Sequence, residues 1–173
     1  MMHEDKKNIT FIGVNKSIET LNLAITAFKE YLSEKTSSDP EKYYQAQKYL
    51  EESKTLYQES LKEISKITES LPENASPGFI KWKESVRKGS GIISESKEFD
   101  ALKSELQNDE FLLRFLTQEE IEVLLVNHYE SQKLGKRKLS NIKARLIIDK
   151  IRNLVSDAET LNIKAKEKLY QLK

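Results

Sequence analysis

Residues 40–71, PEKYYQAQKYLEESKTLYQESLKEISKITESL, decide the fold. Between Pro40 and Pro72 there is neither Gly nor a further Pro. Tyr43, Leu50, Tyr57, Ile64 and Leu71 recur every seven residues, alternating with Ala46, Ser53, Ser60 and Ile67. That spacing puts an apolar stripe on one side of a helix and predicts a single helix about 48 Å long. Its start is marked by Asp39, an N-cap residue, followed by Pro40, whose fixed φ suits the first helical position. The small residues Ala46, Ser53 and Ser60 let a neighbouring backbone approach closely along the seam.

On the N-terminal side, Val14, Ile18, Leu21, Ile25, Phe28 and Leu32 are spaced 4, 3, 4, 3, 4. This is the seam of a second amphipathic helix, with Asn15 or Ser17 available to cap it. The polar stretch from Lys35 to Asp39 is short, so the two helices are expected to fold back as an antiparallel hairpin. Tyr49, Leu56 and Leu61 widen its apolar stripe beyond what two helices cover, which calls for a third helix or a partner.

On the C-terminal side, Pro72-Glu73-Asn74-Ala75-Ser76-Pro77-Gly78 holds two of the three prolines and marks the clearest boundary. The expected division is a hairpin over residues 1–75 and a helical bundle over 76–173. Ser76 and Pro77 open a short helix carrying Phe79, Trp82 and Val86, which stops at the connector Lys88-Gly89-Ser90-Gly91. Phe99, Leu102 and Leu106 form one face of the segment 96–107, and Asn108-Asp109 ends it. Thr117-Gln118-Glu119-Glu120 is a capping box before Ile121, Leu124 and Leu125, and Leu134-Gly135 stops that helix. From Ser140 to Leu172 there is no Gly or Pro, and Ile147, Ile151, Leu154, Ala158, Leu161, Ala165 and Leu172 mark one more long helix. The fold class is therefore all-α: a long N-terminal hairpin, central short helices and a long C-terminal helix, packed in the manner of a coiled coil.

Composition agrees. Lys, Glu and Leu dominate with 24, 22 and 21 copies, while Gly and Pro number only 5 and 3, which excludes a turn-rich sandwich or barrel. The absence of cysteine removes disulfides, thiolate nucleophiles and thiolate metal sites. The two histidines, His3 and His128, leave little imidazole chemistry, and neither has a Glu three residues before it as a di-metal bundle requires. His128 shares a face with Ile121, Leu124 and Leu125 and reads as a core histidine. No cofactor or metal is expected. The apolar run from Ile9 to Val14 is too short to span a membrane, so a cytoplasmic protein with no membrane partner is expected.

Net charge is +1 but unevenly spread: residues 109–135 carry −4 and residues 136–173 carry +7. Lys136, Arg137, Lys138, Lys143, Arg145 and Arg152 concentrate cations around a helix N-terminus, where the dipole disfavours them. Such a cluster suits phosphate, or else it folds onto the acidic helix containing Glu119, Glu120, Glu122 and Glu130. No aromatic residue lies between Tyr129 and Tyr170 to stack on bases.

The function expected from these features is non-catalytic: an adaptor, assembly subunit or inhibitor that presents long helical faces to a protein partner or to itself. If the hairpin face is exposed, Tyr43, Leu50 and Tyr57 are its contact residues, with Trp82 as a neighbouring anchor. The alternative is a nucleic-acid-binding helical protein using segment 133–152.

Overall fold

The computed structural model describes residues 11–33, 39–70, 79–82, 84, 97–131 and 139–171, and every regular element among them is helical. Helix α1 spans Ile12–Ser33, α2 Pro40–Ser70, α3 Lys97–Gln107, α4 Gln118–Ser131 and α5 Leu139–Gln171, with a 3-10 turn at Leu112–Arg114 between α3 and α4. The chain is all-α, with two long N-terminal helices packed on each other and a long C-terminal helix. The stretch Pro72–Gly78, the connector Lys88–Gly91 and the stop at Leu134-Gly135 lie outside the described residues.

Two compact units divide the chain, one formed by the residues up to Lys66 together with Ile151–Lys173, the other by Ile67–Lys150. Helix α5 contributes its first part to the second unit and its remainder to the first.

In the first unit, the end of α2 meets the start of α1, where Glu63 accepts hydrogen bonds from the Gly13 and Val14 N–H groups at 2.8 and 3.0 Å. The start of α2 meets the end of α1, where the Tyr43 ring lies 5.8 Å from Tyr31 and 6.2 Å from Phe28. The hairpin is thus antiparallel. Helix α5 then runs antiparallel to α2. Arg152 donates to the Tyr57 hydroxyl at 3.1 Å, and ten residues further on Asn162 accepts from Gln47 at 3.5 Å. Helix α5 is a third helix against the hairpin, and Tyr49, Leu56 and Leu61, which widen the stripe, are each half-buried.

Small residues fix the packing. Ala46, Ser53 and Ser60 on α2 are buried at intervals of seven, as are Ala158 and Ala165 on α5. The buried Ser53 and Ser60 hydroxyls donate to the Leu50 and Tyr57 carbonyls at 2.6 Å, so no hydrogen-bonding capacity is stranded. In α1 the expected seam is half right. Val14, Leu21 and Phe28 are buried, but the second row is Ser17, Ala24 and Tyr31, while Ile18, Ile25 and Leu32 are only half-buried. Two of the three positions in that second row, Ser17 and Ala24, are small, and small side chains let helix axes approach closely. The start of α1 also differs from expectation. Asn15 and Ser17 lie inside the helix, and its first N–H groups are capped by the distant Glu63.

Local signals in α2 and α4 operate as read. Asp39 Oδ1 accepts from the Glu41 N–H at 3.0 Å. Thr117 and Glu120 form the reciprocal capping box, with Glu120 N–H donating to Thr117 Oγ1 at 3.1 Å and Thr117 N–H donating to Glu120 Oε1 at 3.0 Å.

In the second unit, Phe99, Leu102 and Leu106 of α3 are buried with Leu112, Phe115 and Leu116 of the turn and with Ile121, Leu124 and Leu125 of α4. Ile142, Leu146 and Ile147 of α5 are buried as well. Gln107 and Gln118 lock α3 to α4 by donating to each other's backbone carbonyl at 3.0 and 3.2 Å.

Candidate functional site

The contact residues expected on the hairpin are turned inward. Tyr43 is 2% exposed and Leu50 3%, so neither can form a docking surface. Tyr43 instead seals the end of the first unit among Phe28, Tyr31 and Tyr44, and its hydroxyl accepts from Gln47 at 2.7 Å. Burial pushes its phenol above the ordinary value of 10.0, and the neighbouring phenols of Tyr170, Tyr44 and Tyr31 push in the same direction. Tyr57 is half-buried and holds Arg152. Trp82 is fully buried, with Phe79 stacked 6.0 Å away, and serves as a core anchor rather than a surface contact. Three of the four, Tyr43, Leu50 and Trp82, fill interior space.

The basic segment divides differently. Lys136, Arg137 and Lys138 lie outside the described residues. Lys143 forms an ion pair with Asp109, and Arg145 pairs with Asp149 one turn along the helix at 3.2 Å. Lys150 donates to the Phe115 carbonyl at 2.7 Å and to Glu120 Oε1 at 3.1 Å. Lys143 and Lys150 therefore fasten the first part of α5 to elements before it, with Glu120 the carboxylate of the expected acidic helix that takes part, whereas Arg145 pairs within its own helix. Glu120 is the junction. Burial alone would push its carboxyl up, but the Thr117 backbone N–H and the Lys150 ammonium outweigh that and hold it below its ordinary value of 4.5. Arg152 is exposed and already holds Tyr57.

Among the described residues, no three His, Cys, Asp or Glu side chains converge as a metal-holding group, and no helix is long and apolar enough to cross a membrane. His128 lies on α4, but its side chain is outside the described residues.

What the structure does expose is apolar surface on the outer faces of the first unit. Ile163 is 60% exposed and Tyr170 69%, the two highest values among the large hydrophobic side chains described. They stand seven residues apart on α5, within about 20° of each other around the helix and roughly 140–160° from the buried Ala165. A second outward face lies on α2, where a shallow depression is lined by Glu41, Tyr44, Gln45, Lys48, Tyr49 and Glu52. Neither face figures among the contact residues expected from sequence, because the stripes that repeat most regularly on these helices close on one another. The signal was nonetheless present for α5: Ile163 and Tyr170 are large apolar residues off the Ile151, Ala158, Ala165 row.

Set against protein-family models, curated proteins and solved structures, the chain matches none of them.

Proposed function

We propose that this chain works by contact rather than catalysis, as a helical module of the adaptor, assembly-subunit or inhibitor kind whose docking surface is the outer seam of α5. The observation that carries this reading is the pair Ile163 and Tyr170, the most exposed large apolar side chains described and spaced as a heptad seam. An amphipathic partner helix would bury both at once. Tyr170 supplies a rigid ring with a polar tip, the kind of side chain enriched at interface hot spots. The alternative use of the basic segment on phosphate draws less support, because Lys143, Arg145 and Lys150 already face carboxylates.

The test is capture of the tagged chain from native cell extract, with and without nuclease, beside an Ile163→Ser/Tyr170→Ser variant. A protein retained after nuclease and lost from the variant is the expected result. Capture that collapses on nuclease treatment and is indifferent to the two substitutions would overturn the reading in favour of nucleic acid.

A further inference from the structure

The outer face of α2 near its start is complementary to itself, and we infer that a second copy of this chain docks there. Glu41 and Lys48 stand two helical turns apart, about 10.5 Å along the axis and nearly in line along it. Both are exposed, and among the described residues neither has an ionic partner within 4 Å. A two-fold axis perpendicular to the helix and midway between them lays two copies of α2 antiparallel. It places each Glu41 opposite the other copy's Lys48, giving two ion pairs from one motif.

The same operation fixes what lies between those pairs. Tyr44, 51% exposed and braced edge-on against the buried Tyr43 ring at 5.4 Å, meets its own counterpart on one side of the contact. Gln45 meets its counterpart on the other side, with its amide held by a hydrogen bond to the Tyr49 hydroxyl at 3.1 Å. The contact is isologous, so it closes at a dimer and leaves no open edge for further copies. The occupant is another copy rather than an unrelated helix because the charges alternate in the one pattern that this face itself supplies in reverse. The inference goes beyond the α5 seam and rests on different residues.

Sedimentation of the full-length chain over a range of concentrations tests it. The wild type is expected to shift from monomer to dimer, and high salt is expected to weaken the dimer. Glu41→Lys and Lys48→Glu each place like charges in register and should weaken self-association by at least about tenfold. An equimolar mixture of the two variants restores opposite charges and should regain the dimer, as should the double variant E41K/K48E. A wild type that stays monomeric throughout would overturn the inference. So would a dimer indifferent to either reversal, or a mixture that fails to recover while circular dichroism shows the helices intact.

Discussion

Glu63 and Glu120 do comparable work at the residue scale, yet only one of them is legible in sequence. Glu120 caps its own helix from three positions away, so the Thr117 to Glu120 spacing announces it. Glu63 caps α1 from fifty residues away, and nothing local in either segment links the two. Gly13 is part of the same device, since a Cβ there would stand 3.1 Å from Glu63 Oε2 and 3.2 Å from Glu59 Cβ. A side chain at that position would press α2 away from the carboxylate's two donors. For Glu120, the folded carboxyl titrates below its ordinary value, so its contribution to stability is present above about pH 4.5 and is lost as the pH falls through the folded value. Glu120→Gln is therefore expected to cost about 0.5 kcal/mol at pH 7, with the glutamine retaining the cap but not the charge facing Lys150. The gap to wild type should narrow as the pH falls through the folded value, and urea unfolding of both proteins at pH 7 and at descending acid pH checks it.

At the scale of elements, periodicity located the helices but not their rotation. The α1 seam misplaced one row, assigning Ile18, Ile25 and Leu32 to the interior where Ser17, Ala24 and Tyr31 lie. Both rows satisfy a helical period. Which one turns inward depends on how closely the neighbouring helices approach, and that distance is set by small residues on three helices together. Ala158 belongs to this arrangement, being fully buried midway between Ile151 and Ala165 on α5. Ala158→Leu is expected to destabilise the chain by about 1–3 kcal/mol, even though leucine is a good helix former and more apolar. A lowered midpoint in thermal unfolding by circular dichroism is the outcome anticipated. An unchanged or raised midpoint would mean that the seam has room to spare.

For the molecule as a whole, the division falls within α5, because residues before and after position 151 pack in different units. The single tryptophan, Trp82, lies in the unit formed by Ile67–Lys150, so its fluorescence reports on that unit alone, whereas the helical signal reports on both. Being fully buried, Trp82 should emit at the blue end of its range and resist quenching by acrylamide in the native protein. Leu125→Ala, in the same interior, is expected to cost about 2–5 kcal/mol and to move the Trp82 transition to lower denaturant. The charge layout has a similar global logic. The +7 of residues 136–173 is offset in part by the preceding −4 of residues 109–135, and the pairs Lys143 with Asp109 and Lys150 with Glu120 show where the two stretches meet.

The sequence by itself determined the all-α class, the principal helix positions and the caps whose partners lie within one turn, since each depends on interactions between residues a few positions apart. Tertiary structure decided which stripe of α1 turns inward, that Tyr43, Leu50 and Trp82 are interior rather than surface, that Glu63 caps a helix it does not belong to, and that Ile163 and Tyr170 are left outside. Those outcomes depend on which faces meet and how closely, and a pattern confined to one helix repeats identically whether its partner is another segment of the chain, another molecule or water.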